Sequence, residues 1–412
     1  MKELYIFNNR IKRGIMYGIG TYMDQLIKVL KDTEWKLNVV FLNAAGIEPE
    51  IIEEAGYRQI NIPYPSQHSN AKQYYPKIIA YLLKDIISID RNTECIFQLN
   101  IMNNYSLIRY LKKIFRFKII LVLHYSDWSF SLLGDFLRLQ KMINRPKKDE
   151  KNIIDEALIS SFMDDLKMIN SVDHLVCVAQ HTLDTYHKSD NFRPRRTTII
   201  HNALEDIYKP LQEKEKINLR KKYLIEENIK IILFAGRLDE VKGIEYLIRA
   251  FKKILKIYPD IRLLIAGDGD FFNQLIKESA DYWTKISFTG RIEKKKLYEL
   301  YHVADMGVVC SLHEEFGLVA IEMMMHELPV IVTKTGGLDE IVEDRVSGLK
   351  VSVRKLKGKR QVDVKQLEEK MRFLLDNPAY AQELGRNGRK RFLEKFELSI
   401  FKEKMLNLYN NL

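Results

Sequence analysis

Glu314 and Glu322 stand eight residues apart in Ser311-Leu312-His313-Glu314-Glu315-Phe316-Gly317-Leu318-Val319-Ala320-Ile321-Glu322, on either side of an apolar Phe-Gly-Leu turn. An ionised carboxylate accepts two or more hydrogen bonds, which suits the hydroxyls of a ribose or a sugar. Upstream, Gly236-Arg237-Leu238-Asp239-Glu240-Val241-Lys242-Gly243 sets two cations at a strand-to-helix turn. A planar guanidinium, a compact ammonium and the backbone N–H groups of a helix start are what a diphosphate needs. Together the two segments imply an enzyme that handles a nucleotide sugar. The competing readings are a surface ion pair for Arg237 and Lys242, and for the glutamates an acidic helix entrance that complements the dipole. The apolar neighbours Ile321, Met323, Met324 and Met325 argue against a solvated Glu322.

Loops of this kind need a rigid scaffold, and the chain supplies an alternating one. Short β-branched runs are predicted as strands at Leu4–Phe7, Leu37–Leu42, Cys95–Leu99, Ile119–His124, His174–Val178 and Thr198–His201. Helical patterns lie between them at Thr21–Lys31, Pro76–Ile87 and Ser106–Ile114, with a long helical insertion over Leu132–Asn170. A second series begins at Ile231–Ala235 and continues through strands at Arg262–Ala266, Ile286–Phe288, Met306–Cys310 and Pro329–Thr333. Its helices are expected at Ile244–Ile257, Phe271–Glu278 and Lys294–His302, from Gly317, and after Gly337. The fold class is therefore α/β, with mainly parallel sheets in two doubly wound domains and a cleft at the carboxyl ends of their strands. At 412 residues two domains are expected: 1–202 for the acceptor, 203–393 for the donor, and a terminal helix over 394–412 that packs back toward the first. The Pro-containing, charged stretch around 202–228 reads as the linker.

Composition excludes several classes. The net charge of +11, from 66 Lys and Arg against 55 Asp and Glu, is spread over both halves and interleaved with acids, which argues against a nucleic-acid face. Two local clusters remain: Arg109, Lys112, Lys113, Arg116 and Lys118 among apolar residues, and Arg145, Lys147, Lys148 and Lys151. Each reads either as a solvated helix face or as a peripheral contact with an anionic membrane. No apolar run is long enough to span a bilayer. Cys95, Cys177 and Cys310 are isolated and read as free buried thiols in a reducing compartment, so a cytoplasmic enzyme is expected, with an opening strand at Leu4–Phe7 rather than a leader. Asp268-Gly269-Asp270 mimics a metal-binding pair, but its place after a strand makes it a strand-to-helix turn with Asp270 as helix cap.

These motifs resemble those of the retaining glycosyltransferases of family 4. Ile200-His201-Asn202-Ala203, Gly236-Arg237…Lys242-Gly243, Ala266-Gly267-Asp268-Gly269, Thr289-Gly290-Arg291-Ile292, Glu314-x7-Glu322 and Thr335-Gly336-Gly337-Leu338-Asp339-Glu340 follow in the family's order. One departure stands inside the core motif: Glu315 occupies a position where the family commonly has Gly, and the register favours Glu314 as the site glutamate. In the first half, Gly18-Ile19-Gly20 resembles the family's N-terminal glycine loop and His124 its active-site histidine.

The resemblance implies a GT-B fold, two Rossmann-like domains facing across a cleft, and transfer of a sugar from a nucleoside-diphosphate donor, UDP before GDP. Arg237 and Lys242 would stabilise the departing diphosphate, aided by backbone N–H groups at Gly18, Gly20, Phe316, Gly317 and Leu318. Arg291 and Ile292 would line the nucleotide, Glu322 hold the ribose, and Glu314 and His124 serve the transferred sugar. Asp127 is a candidate for the acceptor hydroxyl. No metal and no other cofactor is expected, since fixed positive charge does that work, and retention would proceed by front-face attack. The acceptor stays open among a saccharide, a lipid-linked glycan and a peptide. Two rivals also stay open: a sugar-nucleotide epimerase or hydrolase on the same fold, and a non-catalytic basic membrane- or nucleic-acid-binding protein.

Overall fold

The computed structural model describes residues 2–10, 18–64, 69–87, 93–102, 104–145, 152–356 and 358–412; Lys147, Lys148 and Lys151 of the second basic cluster lie outside them. The chain divides into two compact units, Met1–His201 with Leu398–Leu412, and Asn202–Glu397.

In the first unit the strands are β1 (Lys2–Asn9), β2 (Trp35–Ala44), β3 (Glu50–Glu54), β4 (Tyr57–Pro63), β5 (Glu94–Leu99), β6 (Lys118–Leu123), β7 (His174–Cys177) and β8 (Thr197–Ile199). They form one sheet in the order β3-β4-β2-β1-β5-β6-β7-β8. All neighbours are parallel except β3 with β4. Strands such as Lys-Ile-Ile-Leu-Val-Leu of β6 are continuous apolar runs because helices cover both faces of a parallel sheet. The β3–β4 hairpin escapes the sequence reading for a physical reason. Glu-Ile-Ile-Glu-Glu at the sheet edge is largely exposed and holds its place by backbone pairing rather than by burial. Its charges also discourage edge-to-edge association.

The helix Tyr105–Ile114 buries Leu107, Ile108 and Leu111 and leaves Arg109, Lys112 and Lys113 exposed. Its apolar side belongs to the core of this unit. Among the described residues no helix is long and apolar enough to cross a membrane. The last helix, Leu398–Asn410, begins later than the expected residue 394, because the preceding helix Pro378–Lys395 runs on through that position. It packs into the first unit, where Tyr409 donates to Gln98 Oε1 at 2.6 Å and Phe401 meets the Tyr22 ring edge-on at 5.7 Å.

The second unit has β9 (Lys230–Ala235), β10 (Ile261–Ala266), β11 (Ile286–Gly290), β12 (Met306–Val309), β13 (Val330–Thr333) and β14 (Leu349–Val351), all parallel, in the order β11-β10-β9-β12-β13-β14. A small antiparallel hairpin, Val353–Leu356 with Lys359–Val362, follows β14. The stretch expected as a linker is not a free tether, since it contains the helix Glu213–Lys222. Glu215 accepts from the Gln212 backbone N–H at 2.8 Å to start that helix. Arg220, buried on it, donates to the carbonyls of Val303, Glu226 and Ile229, so this segment is fastened to the sheet. All three cysteines are buried and none is in a disulfide.

Candidate active site

In the second unit the strand order reverses between β9 and β12, and the loops leaving these two strands diverge at their carboxyl ends. Ligands of open α/β sheets bind at such a crevice. The loop after β9 carries Arg237 and Lys242, and the loop after β12 carries Glu314. Topology alone thus brings the two sequence motifs together.

The loops touch closely. Asp239 accepts from the Lys242 backbone N–H at 3.1 Å, which shapes the short 3-10 turn Glu240–Lys242, and its side chain also pairs with Arg237. Gly243 has φ +64, and a Cβ there would lie 2.2 Å from the Cys310 carbonyl oxygen, so only glycine lets the two backbones approach. Leu312 N–H donates to Val241 O at 2.7 Å, and the Cys310 thiol lies 3.3 Å from the Lys242 carbonyl oxygen. From the other side Thr333 Oγ1 donates to Ser311 O at 2.5 Å and Thr335 Oγ1 to Leu312 O at 3.2 Å. The result is a salt bridge of 2.6 Å between Lys242 Nζ and Glu314 Oε2, with Ser311 Oγ donating to the same carboxylate oxygen at 3.0 Å. Glu315 turns away, to His313 Nε2 at 3.1 Å. The two adjacent glutamates therefore have different partners, and it is Glu314 that shares the loop crossing with Lys242.

Phe316 is buried and meets Phe396 edge-on at 6.0 Å. Gly317, at φ +118, caps the helix Leu318–Met325, and a Cβ there would lie 2.6 Å from Leu338 Cδ2. Glu322 follows one turn later and is only 6% exposed. Tyr301 donates to its Oε2 at 3.1 Å, and Lys294 Nζ lies 3.5 Å from its Oε1. Burial raises the Glu322 pKa, while Lys294 and the tyrosine hydroxyls oppose the rise. Lys294, Tyr298 and Tyr301 sit at i, i+4 and i+7 of the helix Lys294–Val303, one face of which presents to Glu322. Sequence reasoning missed these three, although that spacing was the available signal. Arg291 and Ile292 follow the end of β11; Arg291 is exposed and Ile292 half-buried. At Asp268-Gly269-Asp270 the helix starts one residue later than expected, with Phe271 rather than Asp270 at the cap, because Phe271 N–H donates to the Leu238 carbonyl at 3.0 Å and Leu238 N–H to the Asp268 carbonyl at 2.7 Å, which ties the turn to the loop after β9. Among the described residues no three His, Cys, Asp or Glu side chains gather as a metal-holding group.

In the first unit, Gly18 and Gly20 lie within the first turn of the helix Gly18–Leu30 rather than in a loop ahead of it. His124 follows β6 and packs edge-on against Tyr22 at 4.3 Å between ring centroids. Burial lowers its pKa to about 3, so the ring stays neutral at physiological pH, and its buried Nε2 has no hydrogen-bond partner. A neutral ring that can offer one hydrogen bond suits a sugar hydroxyl better than proton transport. Asp127 is exposed in the first turn of the helix Asp127–Ser131. Behind this loop lies a group that sequence reasoning did not single out. Asp165, fully buried on the helix Ile153–Ser171, accepts from Tyr186 Oη at 2.7 Å.

Two parallel doubly wound sheets, one with paired cationic and acidic loops at its switch point, define a GT-B architecture. Solved structures agree over the whole chain. Sucrose-phosphate synthase from Thermosynechococcus elongatus superposes with a TM-score of 0.75 at 20% identity, covering 100% of this chain and 99% of that one. Anabaena HepE in complex with UDP and glucose gives 0.72 at 16% identity, covering 99% of each chain. Residues 215–391 match the family described as glycosyl transferases group 1. An uncharacterised glycosyltransferase of Methanocaldococcus jannaschii is 33% identical over 245 residues, 55% of this chain and 61% of that protein. The chain thus spans less than two thirds of the length of the curated relatives it matches.

Proposed function

We propose that this chain is a retaining, metal-independent glycosyltransferase that moves a hexose from a UDP-sugar to a hydroxyl of a saccharide, a lipid-linked glycan or a peptide. The observation that carries the reading is the Lys242–Glu314 pair at the sheet's switch point, a cation for a diphosphate beside a carboxylate for a sugar. The UDP and glucose named with the Anabaena neighbour support this choice of donor.

In the proposed reaction the bond between the anomeric carbon and the diphosphate oxygen breaks as negative charge builds on the diphosphate. Arg237 meets that charge with a planar fork and Lys242 with a compact ammonium, roles that in other transferases fall to a metal ion. The phosphate competes with Glu314 for Lys242, freeing the carboxylate to accept from a sugar hydroxyl. Glu322, held by Tyr301 and Lys294, accepts from both ribose hydroxyls. Backbone N–H groups of Gly317 and Leu318, and of Gly18 and Gly20, add the positive ends of two helices, while Arg291 and Ile292 flank the base. The acceptor oxygen attacks from the face the diphosphate leaves, and its proton passes to the departing diphosphate oxygen. The new bond forms on the same face as the one that broke. His124 steadies the transferred sugar and Asp127 the acceptor hydroxyl. Exposed Arg109, Lys112 and Lys113 would suit an anionic membrane surface should the acceptor be lipid-linked.

The test is a panel of nucleotide sugars screened by calorimetry, followed by mass spectrometry of products with each acceptor class. Binding of UDP-sugars that survives chelation, together with an α-linked product from an α-linked donor, is the expected result. A chain that binds none of the panel, or that releases epimerised sugar without an acceptor product, overturns it.

A further inference from the structure

The first unit contains a buried polar relay that the reaction above does not use. Tyr186 Oη lies 2.7 Å from Asp165 Oδ2, 2.7 Å from Ser126 Oγ and 3.2 Å from Trp128 Nε1. Asp165 is 0% exposed, Tyr186 1% and Trp128 0%. Ser126 and Trp128 belong to the loop His124–Trp128 that leaves β6, whereas Asp165 and Tyr186 come from two separate helices, Ile153–Ser171 and Gln180–Tyr186.

The hydrogens can be assigned by elimination. An ionised Asp165 only accepts, so the single Tyr186 hydrogen points to it. The two lone pairs of the phenol oxygen are then left for the Trp128 N–H, which can only donate, and for the Ser126 hydroxyl. Every site on the Tyr186 oxygen is filled. We propose that Asp165, acting through Tyr186, is a positioning residue that fixes the His124–Trp128 loop and so aims His124 and Asp127. The inference rests on the transferase reading only for what the loop does, not for the relay itself.

Asp165 Oδ1 is buried with no partner, so the carboxylate is held under strain. Burial raises the Asp165 pKa to about 7, with the Tyr186 hydrogen bond and the nearby Ser126 and Trp128 donors pulling it down and the Asp127 charge pushing it up. Tyr125, whose own pKa is raised by burial and by Asp127 and Asp165, completes the titratable surroundings. Protonation removes the negative charge that draws the Tyr186 hydrogen to Asp165 and so weakens the charge-assisted bond that orients the phenol toward Ser126 and Trp128; the loop loosens as the pH falls.

The full chain labelled with ¹⁵N-tryptophan tests this without reference to activity. The indole signals of Trp35, Trp128 and Trp283 are told apart by substitution. Between about pH 5 and 9 the Trp128 N–H resonance should move with one midpoint in the wild type and stay still in Asp165→Asn, whose amide oxygen still accepts from Tyr186. A Trp128 signal that is flat in the wild type, or that titrates unchanged in Asp165→Asn, overturns the relay. With UDP-glucose as probe, kcat/KM for transfer should fall on the acid side with the same midpoint. Asp165→Asn, a neutral stand-in for the protonated acid, should lose that limb and hold the wild type's low-pH level at every pH, at unchanged donor KM. Tyr186→Phe, which keeps the ring in the core, should lower kcat/KM about tenfold at every pH without weakening UDP binding. An acid limb retained in Asp165→Asn removes the aiming role. A wild type that consumes no nucleotide sugar sinks the transferase reading instead, and the tryptophan titration still decides the relay.

Discussion

The loops after β9 and β12 and the loop after β6 reach their conformations by different means. In the second unit, backbone bonds such as Leu312 N–H to Val241 O, the glycine-only approach of Gly243 to Cys310, and the hydroxyls of Thr333 and Thr335 share the task. No single side chain holds that arrangement. In the first unit, Ser126 and Trp128 both bond to one phenol oxygen, which is in turn oriented by one buried carboxylate. A site braced by many short backbone contacts should tolerate side-chain loss as a fold and fail only as a catalyst. A loop held by one buried charge should respond to protons.

The sharpest way to break this contrast is Lys242→Ala. The backbone ties of its loop remain, so the thermal midpoint should move little, while kcat/KM falls about 10²–10³-fold, or ~3–4 kcal/mol of transition-state stabilisation. A variant that loses stability in proportion to activity would show that the Lys242–Glu314 bridge holds the loop after all.

Next in size is the response of stability to pH. The folded Asp165 pKa, about 7, lies above the ordinary carboxylate value, so between those two pH values the native state holds a proton that the unfolded chain releases. Stability from this group is present at low pH and declines as the pH rises through the folded pKa. Asp165→Asn should therefore be more stable than the wild type at pH 8, by on the order of 1–3 kcal/mol, and nearly equal to it below about pH 4. Denaturant unfolding at the two pH values measures the difference, and equal gaps at both would assign the wild-type response to other groups.

The adjacent glutamates offer a finer cut. Glu314→Gln weakens the partner of Lys242 and should lower kcat/KM about tenfold. Glu315→Gln, whose partner is the buried His313, should stay within about threefold. The reverse order would move the sugar contact to Glu315.

The legibility of these features in the sequence follows the same division. β9 to β13 were readable because buried parallel strands are continuous apolar runs, and Arg237, Lys242, Glu314 and Glu322 because short motifs sit where such strands end. The edge strand Glu50–Glu54 was not, since charges rather than apolar alternation mark it; the Ala55-Gly56 turn was the one clue. The linker was misread because Glu213–Lys222 carries so many charges that its anchoring, through polar bonds such as those of Arg220 and of Lys222 to Glu299, has no apolar signature. Asp165 and Tyr186 were invisible for a related reason: a helical acid reads as solvated until a partner distant in sequence is found beside it.

The smallest effect concerns how Glu322 is kept ready for the ribose. It accepts from Tyr301 Oη, and Lys294 stands 3.5 Å away, yet burial already raises its pKa. Tyr301→Phe removes one donor to a buried carboxylate, a change worth roughly 1 kcal/mol. Two consequences have opposite visibility. At pH well above the carboxylate pKa, Lys294 still pairs with Glu322, so donor KM should rise only about fivefold, with kcat held. Losing a hydrogen bond to the charged form raises the Glu322 pKa further, so the loss of donor affinity on acidification should begin at a higher pH in the variant than in the wild type. A protonated carboxyl presents one donor and fewer acceptor sites, and a vicinal diol that needs two acceptors then binds poorly. UDP affinity measured by calorimetry across the acid range separates these outcomes. A parallel offset at every pH would mean that Tyr301 only packs the Leu318–Met325 helix, whereas a shifted limb means that it tunes the carboxylate.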